Sequence, residues 1–532
     1  MNRRDFFWSF GASAGAFGAT FDRRSDVIAD VISSGRLADD RDFDPTERSL
    51  VELVRAQATG ESTAESLTQR YLQRIGVLDR AGPRLGAVLA LNPNALTIAR
   101  SLDVERQAGQ LRGPLHGIPL LLKDNIETLD PLATTAGALA LAAARHSEDA
   151  PAVARLRAAG AIVLGKANLS EWANVRSPRS ISGWSALGGQ TRNAYDGQRN
   201  PSGSSSGSAV GVAASLCAAA IGTETDASIL APASINGTVG MKPTTGLVSN
   251  AGVVPISKRQ DTMGPLTRTV ADAALLLSVM AQRSLNWDGA TPTLERFPPG
   301  FRFGVLPPAS SAHPEVVRQS QDWFILLQRE GAVPVDIEPP REWRTMQDLE
   351  LEVVLYEFKA SIDAYLAGIK VGSQARSLTD LIEFNIRHGR EEMPFFGQEL
   401  LEQAAALGPL TTSAYRESLR HLLHIADVAG LAAIFSRYKV DVLVAAGNGP
   451  AELIDQVWGD RYETSGGWPL MASAAAVAGY PSLTVPAGFV FGLPVGIAFV
   501  APRFRDGMLL RVGQIFERAM AARRPPNYSI GS

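Results

Sequence analysis

Two serine-bearing turns are the stretch of this chain whose residue types point most directly to chemistry. Residues 200–243 read NPSGSSSGSAVGVAASLCAAAIGTETDASILAPASINGTVGMKP, and the first turn, 201–208, contains only Gly, Ser and Pro. Such a backbone can adopt conformations that larger side chains resist. The second turn, 223–228, ends on Ser228, which lies 24 residues after Ser204. The pattern favours a site built on serine hydroxyls, one of which can act as a nucleophile once a base is nearby.

The segment between the two turns, 209–221, has no charged residue. It is too short to span a membrane and too apolar on all sides for a surface helix, so it must be buried. Its Cys217 is the only cysteine of the chain, which excludes an intrachain disulfide. Within an apolar segment this residue is a small core hydrophobe and not a catalytic thiol.

Three lysines end apolar runs and are candidates for a base. They are Lys123, Lys166 and Lys242, in a chain whose 51 basic residues include only seven lysines. Lysine can lose its proton at usable pH and arginine cannot, so a lysine in an arginine-rich chain hints at a role in proton transfer. Position alone leaves open that each side chain simply extends to water from the end of a strand.

These motifs resemble the amidase signature family. Its core reads G-G-S-S-G-G-S and, some two dozen residues later, T-D-T-G-G-S-I. Here Gly222–Ile229 reads G-T-E-T-D-A-S-I, which is most similar to the peptide amidase branch. The family's catalytic lysine lies in a G-I-P-x-x-x-K-D segment, and only Lys123 matches that segment. The family's C-terminal A-G-x-P and G-L-P-V-G segments match within 478–500, so the resemblance runs from about residue 46 to 522.

The resemblance implies a role for each matching residue. Ser228 would be the nucleophile, Ser204 the proton relay on a cis non-proline peptide bond, and Lys123 the base. Lys123 must then be neutral before attack, which burial can achieve by lowering its pKa. The oxyanion would be held by backbone amides, namely those of Thr225, Asp226, Ala227 and Ser228. In this turn Asp226 and Ala227 replace two glycines, and Leu230 stands where many members have arginine.

The predicted fold class is α/β, a single large amidase-signature domain with a central mixed, twisted sheet covered by helices. The pattern of 45–108 predicts an N-terminal helical layer, and 113–125 a buried strand that ends on Lys123. Further elements are predicted along the chain: a helix at 150–159, strands at 161–164 and 301–306, a helix at 314–330, and two strands within 478–500. Residues 342–438 are predicted to be a helical insertion rich in charged and aromatic residues, the candidate lid or specificity region.

The composition and the absence of certain motifs argue against nucleic-acid binding, metal catalysis and an α/β-hydrolase site. The chain has 532 residues, 45% hydrophobic and 20% charged, with a net charge of −3, which is typical of a soluble globular protein and gives no sign of nucleic-acid binding. The six histidines form no metal-ligand pattern, so neither a metal nor a cofactor is predicted. The letters G-S-S-S-G at 203–207 fit the nucleophile elbow of an α/β-hydrolase, but the polar residues before them do not predict the strand that an elbow requires.

The N-terminus predicts export. Residues 2–8 read N-R-R-D-F-F-W and are followed by a Gly, Ala, Ser and Phe-rich stretch, which resembles a twin-arginine signal. We expect residues 1–21 to be this signal, 22–44 a disordered arm and 45–525 the amidase domain. The enzyme would then be periplasmic, without stable insertion into the membrane.

The expected substrate is a peptide that ends in a carboxamide. Asp226 would either orient the turn or accept a hydrogen bond from a substrate N–H, and the aromatic residues of the insertion would pack on substrate side chains. Small aliphatic or aryl amides remain alternative substrates. Two other classes also remain: an amidotransferase subunit that passes ammonia to a partner, and an inactive relative that only binds peptides.

Overall fold

The computed structural model describes residues 43–285, 296–309, 312–461 and 468–528. Within these residues the chain forms an eleven-stranded mixed sheet. Its strands are β1 (Val88–Leu91), β2 (Pro119–Lys123), β3 (Ile162–Ala167), β6 (Ala219–Glu224), β7 (Val239–Lys242), β8 (Thr262–Thr267), β9 (Arg302–Val305), β10 (Val333–Asp336), β11 (Val442–Ala446), β12 (Ser482–Val490) and β13 (Leu493–Val500). A separate small ladder pairs β4 (Trp184–Ser185) with β5 (Gly189–Gln190). The predicted export signal, and nearly all of the predicted arm, lie outside the described residues.

The strand order is β1-β3-β2-β6-β8-β7-β12-β13-β11-β9-β10. Strands β3, β2 and β6 are parallel, as are β11, β9 and β10, and the strands between these two groups pair antiparallel. The predicted α/β class with a mixed sheet is therefore confirmed. Parallel neighbours require crossover connections, and here helices supply them.

Helices cover the sheet. Outside the insertion they are α1 (Leu50–Thr59), α2 (Ala64–Arg74), α3 (Ala95–Gln107), α4 (Pro151–Ala158), α5 (Ser206–Ala213), α6 (Leu230–Ile235), α7 (Val270–Met280), α8 (Pro314–Arg329), α15 (Trp468–Ala478) and α16 (Asp506–Met520). Local signals fix several ends: the Ser49 side chain caps α1 in a capping box with Glu52, and Gly60 ends that helix at φ 79°.

The structure divides two stretches that the sequence pattern treats as uniform. The N-terminal helical layer also contains strand β1, which pairs with β3. The buried segment 209–221 is a helix only to Ala213; a short turn follows, and the chain then enters β6. Every residue of α5 and β6 is buried, so neither element has a solvent-exposed face whose periodicity could distinguish a helix from a strand.

Residues 341–438 form a succession of helices. After a short 3₁₀ turn they are α9 (Met346–Gly368), α10 (Leu378–Arg387), α11 (Gly389–Glu392), α12 (Glu399–Ala406), α13 (Ser413–Leu423) and α14 (Ala432–Tyr438), with a π-helical stretch at His424–Leu431. The run Ser413–Tyr438 is long and apolar enough to cross a membrane by length and composition, and a third of its most apolar window is buried. Leu422, Ala426 and Leu431 pack there in a core cluster with α15 and β11.

Candidate active site

The predicted site residues meet at one edge of the sheet. Strands β2 and β6 are parallel neighbours, so their carboxyl ends lie at the same edge. Lys123 is the last residue of β2, and the turn that carries Ser228 leaves the end of β6 directly. Ser204 lies just before α5, which packs on both strands. The fold thus brings together three segments that are far apart in sequence.

Lys123 and Ser204 form a direct hydrogen bond. Lys123 Nζ lies 2.7 Å from Ser204 Oγ, and it also contacts Thr223 through the hydroxyl at 2.9 Å and the carbonyl oxygen at 3.2 Å. Both Lys123 and Ser204 are fully buried. The Thr223 hydroxyl also accepts a hydrogen bond from Asn125 Nδ2 at 3.0 Å, which fixes its orientation. The amine is therefore held against the hydroxyl that the family resemblance makes the proton relay.

Burial lowers the pKa of Lys123 from its ordinary value of 10.5 to about 7. Removal of the ammonium from water is the largest cause, because it disfavours the charged form. The negative charges of Asp261 and Glu224 act in the opposite direction, but they are smaller effects. A substantial fraction of Lys123 is therefore neutral near pH 7 and can accept a proton.

The first turn is held by close packing around Gly203. The peptide bond between Gly203 and Ser204 is cis. A Cβ at Gly203 would lie only 2.1 Å from Ser170 Oγ, so no other residue fits there without displacing its neighbours. The backbone amide of Ser170 donates to the carbonyl oxygen of Ser204 at 3.1 Å, and Ser206 Oγ donates to the carbonyl oxygen of Ser202 at 2.5 Å. This composition of glycine and serine is what the packing requires.

The turn of Ser228 lies next to that of Ser204, but the two serine hydroxyls are not hydrogen-bonded to each other. The amide of Ser205 donates to the carbonyl oxygen of Ser228 at 3.1 Å, which ties the two serine turns together. The hydroxyl of Ser228 donates to the carbonyl oxygen of Asp226 at 3.4 Å, and it forms no hydrogen bond with Ser204 among the described residues. Ser228 is 8% exposed, whereas Ser204 and Lys123 are at 0%. Of these three residues, Ser228 is therefore the one that a substrate can reach.

The turn between β6 and Ser228 carries the predicted oxyanion donors. Ala227 adopts a φ of 56°, the left-handed region that favours glycine, which most of the family has at this position. The Glu224 carboxylate accepts hydrogen bonds from the amides of Ile229 at 2.7 Å and Leu230 at 3.1 Å. Burial raises the pKa of Glu224, and the hydrogen bonds from these amides and from the amide of Ala227 oppose that rise. Within the described chain the amides of Thr225 and Asp226 have no backbone partner, so they are available to a carbonyl oxygen.

The other two candidate lysines serve the structure. Lys166 Nζ lies 3.2 Å from Asp124 Oδ1 and donates to the carbonyl oxygen of Ile126 at 2.7 Å. Lys242 Nζ donates to the carbonyl oxygen of Tyr480 at 2.6 Å. Neither forms a hydrogen bond with the serine turns among the described residues, although both are fully buried. Cys217 is buried too, and burial raises the pKa of its thiol to about 12, so it is unreactive at ordinary pH.

Two other points of the sequence analysis can be compared with the structure, the disfavoured nucleophile elbow and the aromatic residues of the insertion. Residues 191–205, before α5, contain no strand, so G-S-S-S-G is not a strand–turn–helix elbow. The aromatic residues of the insertion are mostly inside the protein: those with 8% exposure or less are Trp343, Tyr356, Phe358, Phe384, Phe396 and Tyr415, whereas Phe395 is 38% exposed. The buried ones belong to hydrophobic core clusters, so they do not line an open groove. No cluster of His, Cys, Asp or Glu that could hold a metal ion occurs among the described residues.

Sequence reasoning missed several residues that support the site. Thr223 lies within a quoted motif and Asn125 ends the segment 113–125, yet the hydrogen bonds of Thr223 with Lys123 and with Asn125 depend on the pairing of β2 with β6. Asp261 accepts a hydrogen bond from the Thr225 hydroxyl at 2.6 Å. It lies in a loop with no recognisable motif, so no local signal could have identified it.

Comparison with known proteins gives one consistent family. The amidase family model matches residues 66–510. The crystal structure of native peptide amidase from Stenotrophomonas maltophilia superposes with a TM-score of 0.83 and 46% sequence identity, covering 91% of this chain and 99% of that one. A probable amidase of Arabidopsis thaliana is 36% identical over 530 residues, covering 94% of this chain and 96% of the relative.

A relative of another kind is also similar over most of its length. It is a glutamyl-tRNA(Gln) amidotransferase subunit from Chloroflexus aurantiacus, which is 32% identical over 483 residues. The matched region covers 87% of this chain and 94% of that relative.

Proposed function

This chain belongs to the amidase family and is a hydrolase of amide carbon–nitrogen bonds, and from that premise we propose that it removes the terminal amide of peptides through an acyl-enzyme on Ser228. The hydrogen bond of 2.7 Å between Lys123 Nζ and Ser204 Oγ is the observation that carries the mechanism. It places a buried amine, neutral in part at pH 7, against a hydroxyl that adjoins the nucleophile turn.

In the first step Ser228 Oγ attacks the amide carbon. The hydroxyl must first rotate from the carbonyl oxygen of Asp226 toward Ser204. Its proton then passes to Ser204 Oγ while the Ser204 proton passes to Lys123 Nζ, so that Lys123 gains one proton and the relay serine is regenerated. The carbonyl π electrons move to oxygen and form the oxyanion.

The amides of Thr225 and Asp226 would hold that oxyanion, with Ala227 as a further donor if a substrate oxygen competes with Glu224 for its N–H. Each useful donor of this kind is worth about 3 kcal/mol in the transition state. Collapse of the intermediate breaks the C–N bond. The proton on Lys123 returns through Ser204 to the leaving nitrogen, which departs as ammonia.

Water completes the cycle. Lys123, neutral again, accepts a proton from water through Ser204 while the water oxygen attacks the ester carbon. Collapse of the second intermediate returns that proton to Ser228 and releases the carboxylic acid, which then loses its remaining proton to solvent. No metal or cofactor enters any step.

The peptide substrate is supported by similarity to peptide amidase and by the G-T-E-T-D-A-S-I turn at 222–229. The 46% identity extends over nearly the whole of both chains. The Asp226 carboxylate beside the nucleophile does not point freely at substrate, because its Oδ2 accepts a hydrogen bond from Ser473 at 2.7 Å. Its other oxygen, Oδ1, is buried as well. This arrangement favours the first of the two roles expected for Asp226, orientation of the turn, over contact with a substrate N–H.

The 32% relative from Chloroflexus aurantiacus favours one second candidate, transfer of ammonia to an acceptor bound by a partner protein. The two candidates differ in what happens to ammonia. An amidase releases it without any partner, whereas an amidotransferase subunit needs its partners for useful turnover.

The test is ammonia release by the purified protein alone on a set of amides. A blocked dipeptide amide should react much faster than acetamide, benzamide or free glutamine, and mass spectrometry should show its internal peptide bond intact. The Ser228→Ala protein is the matched control for contaminating activity. Equal rates on the dipeptide amide and acetamide would refute the peptide substrate while leaving amidase activity standing; faster turnover of an anilide would point to aryl amides. Hydrolysis of glutamine alone would favour the amidotransferase-like function.

A further inference from the structure

A buried glutamate of the insertion reaches the oxyanion-binding turn. Glu350, on α9, is 5% exposed, and its carboxyl group lies against that of Asp226, whose buried Oδ1 accepts no hydrogen bond from an N–H or hydroxyl group of the described residues. Glu350 Oε1 also accepts a hydrogen bond from Gln260 Nε2 at 2.7 Å. Gln260 Nε2 lies 3.3 Å from the carbonyl oxygen of Thr225 as well, so both residues connect the insertion to the turn.

The two central residues of the turn are anchored in this way. The Thr225 hydroxyl donates to Asp261, the Asp226 carboxyl contacts Ser473 and Glu350, and the carbonyl oxygen of Thr225 accepts from Gln260. The backbone amides between these anchors are the proposed oxyanion donors. A displacement of Glu350 would therefore change the positions of these amide donors but not their chemical identity.

Two carboxyl groups in hydrogen-bond contact share a proton, because like charges so close together cannot both ionise cheaply. Burial raises the pKa of Asp226 to about 7, and burial together with the charge of Asp226 raises the pKa of Glu350 well above its ordinary value. The surrounding charges do not cancel this effect. Glu224, at the end of β6, raises the pKa of Asp226, while Lys242 on β7 lowers that of Asp226 and Arg259 lowers that of Glu350.

Arg259 is not free to neutralise the pair. Its Nε lies 2.9 Å from Glu357 Oε1, another buried carboxylate of α9, and its NH1 donates to the carbonyl oxygen of Val477 at 3.1 Å. Lys242 Nζ is likewise held by the carbonyl oxygen of Tyr480. The shared proton is therefore what holds the two carboxyl groups together.

We propose that Glu350 is a positioning residue for catalysis, which sets the oxyanion-binding turn through a proton shared with Asp226. The inference rests on the proposed function, since it assigns the amides of that turn to the oxyanion. When the shared proton is lost at alkaline pH, the two carboxylates repel each other and the turn moves. Activity therefore falls on the alkaline side of the pH profile, in addition to the fall on the acid side that belongs to Lys123.

The test compares Glu350→Gln with Glu350→Ala in ammonia release from a blocked dipeptide amide. Gln keeps both contacts at any pH: its amide N–H donates to Asp226, and its oxygen accepts from Gln260. Glu350→Gln should therefore stay within a few-fold of the unmodified enzyme at neutral pH and lose the alkaline limb. Glu350→Ala should lower kcat by about ten- to a hundred-fold with little change in KM, the effect expected of a small displacement of catalytic donors.

Asp363→Ala is the matched control, because this partly buried carboxylate lies further along the same helix and accepts a hydrogen bond from the backbone amide of Leu378 at 2.7 Å, at the start of α10 and not at the turn. It should lower the melting temperature and leave the alkaline limb in place. The inference is refuted if Glu350→Gln keeps the alkaline limb, or if Glu350→Ala lowers only the melting temperature. The proposed function fails separately, if Ser228→Ala or Lys123→Ala retains activity. If the Glu350→Ala protein does not fold, the pH profile of Glu350→Gln tests the inference by itself. Loss of the alkaline limb supports the inference, and its retention refutes it.

Discussion

The acid limb of the pH profile is the sharpest test of the lysine mechanism. With a pKa of about 7, half of Lys123 is neutral at pH 7. A lysine with its ordinary pKa of 10.5 would be neutral in roughly 0.03% of molecules at that pH. Burial thus raises the fraction of competent enzyme by roughly a thousand-fold, and this is the contribution that a change of pH can remove.

The sign follows from the role of a base. Below pH 7 the amine is protonated and cannot accept the proton of Ser204, so activity is present above the pKa of Lys123 and is lost as the pH falls through it. The value of kcat/KM for a blocked dipeptide amide should be about a tenth of its plateau at about pH 6 and about a hundredth at about pH 5.

The assay is initial-rate ammonia release between about pH 5 and 9, with thermal unfolding at each pH to show that the protein remains folded. Lys123→Arg is the matched variant, because arginine keeps the charge and cannot lose it. It should be inactive across the whole range. A profile that is flat across the acid half of this range, or an active Lys123→Arg protein, would refute the assignment of Lys123 as the base.

Three further predictions address the nucleophile, the core and the N-terminus. Ser228→Ala should abolish turnover with an unchanged melting temperature, since its hydroxyl makes only a 3.4 Å bond; residual activity above the level of contaminants would contradict the acyl-enzyme. Arg176→Leu should lower the free energy of unfolding in urea by about 3–5 kcal/mol, because the buried Glu171 and Glu392 lose their counter-charge. An unchanged urea midpoint would contradict this and show that both glutamates are protonated. We propose that Arg3 and Arg4 direct export, so replacing both with lysine should retain the enzyme in the cytoplasm; equal fractionation of the two proteins would refute the signal.

The parts of the site that the sequence predicts are those with local requirements. A turn of only Gly, Ser and Pro reflects space that excludes a Cβ at Gly203, and that requirement leaves a pattern in consecutive residues. The strand that ends on Lys123 is likewise a local pattern, an apolar run closed by a charge. The contact between Lys123 and Ser204 depends on strand pairing, and only the family resemblance could supply it in advance.

The parts that were not predicted depend on residues distant in sequence. Glu350 follows Asp226 by more than a hundred residues, in an insertion whose charged residues are mostly on the surface, and no spacing rule marks it as buried. The aromatic residues of the same insertion show the opposite difficulty. Their type is consistent with a substrate groove or with a core, and the structure places Phe358 and most of the others in the core because α9 packs on the helices around it.

The three buried lysines show what distinguishes a base from a structural cation. Burial lowers the pKa of Lys123, Lys166 and Lys242 alike, so depth in the protein does not identify the base. Lys242 donates to carbonyl oxygens, which cannot relay a proton. Lys166 does reach a threonine hydroxyl, but the Asp124 carboxylate at 3.2 Å favours its charged form. Lys123 alone of the three pairs with a serine hydroxyl and has no carboxylate as a direct partner among the described residues, so its proton can leave and return through Ser204.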